Sequence, residues 1–128
     1  VIVVDTSVWI NAFRSTTSSE AVVLRALLDA DEVALAVPVR LEILGGASKS
    51  ERVRLRRLLS ALPVLYPTDD TWRLIDSWLD PAGAAGEQFG LGDLLIGALA
   101  HESGSLVWSL DSDFRRMARL GFANVYEP

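Results

Sequence analysis

Apolar residues in this chain follow two rhythms. Short unbroken runs occur at Val1-Ile2-Val3-Val4, Val33-Ala34-Leu35-Ala36-Val37, Val64-Leu65-Tyr66 and Leu106-Val107-Trp108-Ser109-Leu110. Their length and β-branched or aromatic content predict short strands, the first two buried on both faces. Between them the apolar positions recur at helical spacing. Val8 to Arg14 predicts one such segment, and Glu20 to Ala30 a second, with Val23, Leu24, Leu27 and Leu28 inward and Ser18 or Ser19 as cap. Pro38 opens a helix over Val39 to Leu44 that Gly45-Gly46 closes. Ser50 to Leu62 predicts a helix whose buried stripe is Leu55, Leu58, Leu59 and Leu62.

Asp69 or Asp70 is the expected cap of the next helix, which carries Trp72, Leu74, Ile75, Trp78 and Leu79. That apolar surface is broader than one face, as a subunit contact or a deep intrachain position would require. Pro81 to Gly92 is rich in Gly and Ala and reads as a loop, followed by a helix from Leu91 to His101. After the last strong strand, Asp111-Ser112-Asp113 leads into a short helix through Arg119, closed by Gly121, with Val125-Tyr126 as an edge strand. Strands alternating with helices predict an α/β fold: a mainly parallel central sheet with helices on both faces. No repeat, low-complexity segment or second domain interrupts residues 1–128, so one domain is expected.

Composition narrows the chemistry. The chain has no cysteine, which excludes disulfides, thiolate metal sites and a cysteine nucleophile. No apolar run has the length of a membrane span, and the opening strand leaves no room for a signal peptide, so a cytoplasmic protein away from membranes is expected. A net charge of −5 argues against a general nucleic-acid coat but not against a nuclease, because local patches outweigh totals. His101 is the only histidine and is read as a surface residue near a helix end, so a zinc site is not expected.

The acids fall into two kinds. Glu20, Asp29, Asp31, Glu32, Glu51, Asp76, Glu87 and Glu102 lie on predicted helix surfaces or loops and are read as solvated. Asp5, Glu42, Asp93, Asp111 and Asp113 lie in apolar or small-residue surroundings beside a strand end or a helix start. Each has an ordinary explanation: Asp5, Asp93, Asp111 or Asp113 as a helix cap or dipole partner, Glu42 as an exposed position on a buried helix. Together they suggest more. In a parallel sheet the carboxyl ends of the strands share one edge, where ligands bind. Two carboxylates about 5 Å apart repel by roughly 3 kcal/mol at an effective dielectric near 20. A converged set must therefore hold protons or a divalent cation, and oxygen-only ligands favour Mg²⁺ or Mn²⁺.

The motifs Val-Val-Asp5-Thr-Ser7, Glu42 after the second strand, Gly-Leu-Gly-Asp93-Leu-Leu-Ile and Ser109-Leu-Asp111-Ser-Asp113-Phe114 resemble those of PIN-domain ribonucleases. The Asp-Thr-Ser-Val-Trp-Ile opening and the length are most similar to VapC-type toxins of bacterial toxin–antitoxin pairs, and the resemblance runs along nearly the whole chain. It implies a PIN-like three-layer α/β/α fold and a Mg²⁺- or Mn²⁺-dependent endoribonuclease. It further implies catalytic roles for Asp5, Glu42, Asp93 and Asp111, metal binding by Asp5, Asp93, Asp111 and Asp113, and support from the hydroxyls of Ser7 and Ser109. The partners it implies are RNA as substrate, a small VapB-like antitoxin whose tail covers the cleft, and a second copy in a homodimer. The segment Ala84 to Phe89 departs from the family by carrying Glu87 where bases are common. Arg14, Arg40, Arg115 and Arg116 lie close in sequence to the acidic motifs and are the candidate RNA contacts.

Rivals lose on named residues. A phosphoacceptor receiver needs a lysine after a late strand, and the only lysine is Lys49. A nucleotide-binding fold needs a glycine-rich turn after the first strand, where Asp-Thr-Ser-Val stands. An aspartyl phosphatase wants a second Asp two residues after Asp5, where Ser7 stands. The remaining alternative is a catalytically silent module of the same fold that binds RNA or antitoxin only.

Overall fold

The computed structural model describes residues 1–128. Four short parallel strands, β1 (Ile2–Val4), β2 (Val33–Ala36), β3 (Val64–Leu65) and β4 (Leu106–Trp108), form one sheet in the order β3-β2-β1-β4. Val125 extends it by a single parallel bridge to Val107, which is what becomes of the expected last edge strand. The register pairs Val3 with Ala34 on one side and Val4 with Trp108 on the other. β1 and β2 are buried along their whole length, so their apolar runs face protein on both sides.

The connections are helices: α1 (Thr6–Arg14), α2 (Ser19–Asp29), α3 (Val37–Gly45), α4 (Lys49–Leu59), α5 (Asp69–Ala84), α6 (Leu91–Ser103) and α7 (Asp113–Arg119). Parallel strands joined by right-handed crossovers require α1 to α4 on one face and α5 to α7 on the other, giving three layers. α6 packs across β1, β2 and β4 and contacts α5 and α7 on its own side. The core is continuous from Val3, Val4, Leu35 and Val107 to Trp9, Trp108, Ile96, Phe114 and Met117. No helix is long and apolar enough to cross a membrane.

The strand order places the topological switch beside β1. The chain leaves β1 for β2 on one side and returns from the far edge to β4 on the other. A crevice opens at the carboxyl ends of two strands so arranged, and here those ends are followed by Asp5 and by Ser109 to Asp111.

Several sequence expectations need correction. Thr68, not Asp69 or Asp70, caps α5: it forms a capping box with Thr71, whose buried hydroxyl also donates to Glu102 Oε1. α5 also runs through Pro81 to Ala84, so the expected loop begins later. Pro81 forfeits one backbone bond near the helix end, and burial of Ala82 in the core draws that last turn inward. α4 ends at Leu59, short of the expected Leu62, and Leu58 is 49% exposed at the margin of the stripe that Leu55 and Leu59 form. The broad apolar surface of α5 resolves into two parts. Ile75 and Trp78 are buried, whereas Trp72 and Leu79 are largely exposed. The fourth strand stops at Trp108, and α6 continues two residues past His101 to Gly104, whose left-handed backbone (φ 66°) ends it.

Candidate metal centre

Asp5 stands where β1 becomes α1. Its backbone carbonyl accepts from Val8 and Trp9, so it occupies the N-cap position, but its side chain makes no capping bond. The carboxylate instead faces β4. Oδ2 accepts hydrogen bonds from Ser7 Oγ and Ser109 Oγ, each at 2.8 Å. Both hydroxyls are themselves held by backbone: Leu110 N–H donates to Ser7 Oγ at 3.0 Å, and Asp111 N–H donates to Ser109 Oγ at 2.9 Å. One oxygen of a 7%-exposed carboxylate is thus saturated by two donors, and the other accepts no hydrogen bond within the chain. The register explains the pairing, since Val4 lies opposite Trp108 and the next residues on each strand are Asp5 and Ser109.

Asp93 is the third residue of α6, whose N-cap is Gly90; no capping bond forms there. Asp111 lies in the turn after β4, where Oδ1 accepts from Asp113 N–H at 3.1 Å and shapes the entry into α7. Ser112, not Asp111 or Asp113, is the N-cap of α7, and Asp111 serves the turn before it, while Asp5 occupies an N-cap position without a side-chain capping bond. Asp113 opens α7. Carboxylate oxygens of Asp93, Asp111 and Asp113 lie within 4.8 Å of one another, a spacing that can hold a metal ion. Asp5 stands beside this trio, close enough for its charge to act on Asp93.

Glu42, in α3, is exposed and stands outside that trio. Thr6 Oγ1 donates to Glu42 Oε1 at 3.1 Å, which ties it to the start of α1 one residue beyond Asp5. Nothing in the spacing of the sequence signalled this partner.

The electrostatics follow from crowding. Asp93 is pushed up to about 7, first by burial, then by its hydrogen bond with Asp113 and the charges of Asp5, Asp113 and Asp111. Asp113 moves the other way: its hydrogen bonds with Asp93 and Arg116 hold it below the usual carboxylate range. The two opposite shifts share one contact, between Asp93 and Asp113. Arg116 balances the pair, donating to both Asp113 and Glu87.

Of the expected RNA contacts, Arg14 and Arg40 make no ion pair, and Arg14 is exposed at the end of α1. Arg115 reaches Glu127 at 3.5 Å on the surface. Arg116 is engaged inside the chain. Sequence reasoning placed Glu87 among solvated acids; its partner is 29 positions away, and no local pattern reveals it. His101 is exposed, as expected, with its Nδ1 hydrogen-bonded to the carbonyl of Phe122 at 3.0 Å. Gly97 on α6 faces the side chain of Met117: a Cβ there would meet its Sδ at 3.0 Å.

The comparisons with known proteins agree with this architecture. The family model of the PIN domain matches residues 2–120. Ribonuclease VapC11 of Mycobacterium tuberculosis is 37% identical over 124 residues, covering 93% of this chain and 92% of that protein. VapC ribonuclease Mb1587 of Mycobacterium bovis matches to the same extent. Among solved structures, a chain of the VapBC2 complex of Rickettsia felis, bound to a DNA fragment from the promoter, superposes with a TM-score of 0.79. Its identity is 18%, over 98% of this chain and 96% of that one. A chain of VapBC-5 of Mycobacterium tuberculosis gives 0.71 at 20% identity, over 98% and 97%. The chain belongs to the PIN-domain family, in its VapC group.

Proposed function

We propose that this chain is a Mg²⁺- or Mn²⁺-dependent endoribonuclease and the toxin of a VapBC-type toxin–antitoxin pair. The observation that carries the reading is the convergence of Asp93, Asp111 and Asp113 within 4.8 Å beside the oriented Asp5 carboxylate, at the switch point of a parallel sheet. The donor set fits the ion. It offers carboxylate oxygens only, with no sulfur or imidazole, and one oxygen of Asp5 is left free by the two serines. A cation held there supplies Lewis acidity that lowers the pKa of water and offsets charge on the scissile phosphate.

The chain's own residues do the rest. Asp93, Asp111 and Asp113, with Asp5, hold the ion. Ser7 and Ser109 fix the rotamer of Asp5, so that it does not reorganise when substrate arrives. Glu42, held by Thr6 and outside the trio, is placed to accept a proton or to engage a second cation at the rim. Arg14, Arg40 and Arg115 supply the phosphate contacts that an acidic crevice needs at its edge. The VapC relatives and VapBC structures support RNA as the substrate and a VapB-like antitoxin as the inhibitor. Exposed Trp72 and Leu79, one helical face of α5, support self-association as a homodimer.

The test is cleavage of structured RNA by the wild type, Asp5→Asn and Asp93→Asn, each confirmed folded, with Mg²⁺ and with EDTA. Metal-dependent cleavage lost in both variants is expected. Wild-type activity in both, or undiminished activity in EDTA, overturns the assignment. A saturable Mn²⁺ site by calorimetry in a chain that cuts no RNA would favour a binding module instead.

A further inference from the structure

Arg116 sits where two elements of the candidate metal centre meet. Its Nη2 donates to Asp113 Oδ1 and its Nη1 to Glu87 Oε2. The face of Phe89 lies 4.9 Å from the guanidinium carbon. Phe89 is backed by Phe122 at 6.5 Å between ring centroids, and Phe122 stacks on the buried Trp78 at 4.5 Å. A guanidinium is a planar fork, so bonds to two carboxylates and a position over an aromatic ring restrict both its place and its orientation. Asp113 belongs to α7. Glu87 and Phe89 belong to the segment that leads, through Gly90, into α6 and Asp93.

We infer that Arg116 is a positioning residue of the metal centre, fixing the Asp113 carboxylate directly and the Asp93 end of α6 through Glu87 and Phe89. The inference rests on the metal-nuclease reading above and removes Arg116 from the residues that face RNA. A phosphate approaching this guanidinium would meet two carboxylates already in place, which disfavour it by charge. Glu87 has a defined part as well. With two carboxylates on one guanidinium the group keeps a net negative charge, so that Arg116 can hold Asp113 without repelling a cation that enters beside it. Lysine is not equivalent to the arginine here, because its ammonium rotates on a flexible stem, has no fixed fork and presents no plane to Phe89.

Arg116→Lys and Glu87→Gln in the full chain test this, with Mn²⁺ affinity measured by calorimetry and RNA binding measured in EDTA across a salt series. Arg116→Lys is expected to weaken Mn²⁺ binding about ten- to hundredfold. The Mn²⁺ requirement for cleavage should rise in parallel, and in Arg116→Gln, which removes the charge, the salt dependence of RNA binding should stay as in the wild type. Glu87→Gln should shift Mn²⁺ affinity in the same direction by less. Wild-type Mn²⁺ affinity in Arg116→Lys overturns the inference, and a salt slope reduced by about one in Arg116→Gln would identify a phosphate contact instead. If Arg116→Lys does not fold, Glu87→Gln decides alone, and unchanged Mn²⁺ affinity there overturns it. Absence of any saturable Mn²⁺ site in the wild type overturns the metal reading and this inference together. A wild-type site that Arg116→Lys leaves intact overturns this inference only.

Discussion

The hydroxyl of Ser109 donates a 2.8 Å hydrogen bond to Oδ2 of Asp5, 104 positions away in the chain. This bond joins the carboxyl ends of β1 and β4 at the switch point of the sheet. With Ser7 on the same oxygen, it leaves the other oxygen of a buried carboxylate as the one available to a cation.

Removing either hydroxyl should therefore be felt twice. Ser109→Ala or Ser7→Ala leaves a buried charge with one donor fewer, at a cost of roughly 1–3 kcal/mol in stability. Each should also weaken Mn²⁺ binding and cleavage by about tenfold or more, since such outer partners orient the ligand. Urea unfolding and Mn²⁺ calorimetry on the same variants measure the two effects. Stability lost with full metal affinity would mean that the serines support the fold alone.

Asp93 makes the metal-free protein sensitive to pH in a definite direction. Its ordinary value of 3.8 is raised to about 7, so between those values the folded chain holds a proton that the unfolded chain has lost. Stability from this group is therefore greatest in acid and falls as pH rises from about 4 towards 7. Asp113, shifted down, loses its contribution only below the usual carboxylate range and does not offset this window. Denaturation in EDTA at pH 5 and pH 8 should show the decline, and Asp93→Asn should flatten it. Saturating Mn²⁺ should reverse it, because the ion requires Asp93 ionised.

Glu42 should separate binding from chemistry. It lies outside the three-aspartate group and is held only by Thr6. Glu42→Gln is expected to keep the Mn²⁺ affinity of the aspartate site within about threefold, on the scale where a lost ligand partner costs tenfold or more. Cleavage should fall well below wild type. Equal loss of metal affinity in Glu42→Gln and Asp93→Asn would place Glu42 inside the same site.

Packing between α6 and α7 should matter for the same reason. Met117 is fully buried and lies close to Gly97, midway along the helix that begins near Asp93. Met117→Ala should cost about 2–5 kcal/mol by opening a cavity. It should also weaken Mn²⁺ binding by loosening Asp113 relative to Asp93, which calorimetry at a temperature where the variant remains folded would detect.

Much of the fold was legible in the chain, because strands buried on both faces need unbroken apolar runs and helices around them need period-3.6 stripes. The misreadings share a cause. Thr68 outcompeted Asp69 and Asp70 because its capping box with Thr71 was secured from another helix by Glu102, and Pro81 stayed helical because Ala82 is drawn into the core. Tertiary contacts decided both.

The same boundary runs through the site. Sequence alone determined that carboxylates end β1 and follow β4, and that Asp93 opens a helix of small and apolar residues, since local patterning sets where elements start and stop. Only the tertiary structure decided that Asp93, Asp111 and Asp113 converge, that Glu42 stands apart, and that Arg116 is engaged with Asp113 and Glu87. Strand order and the packing of α6 against α7 set those distances, and partners separated by tens of residues leave no periodic trace along the chain.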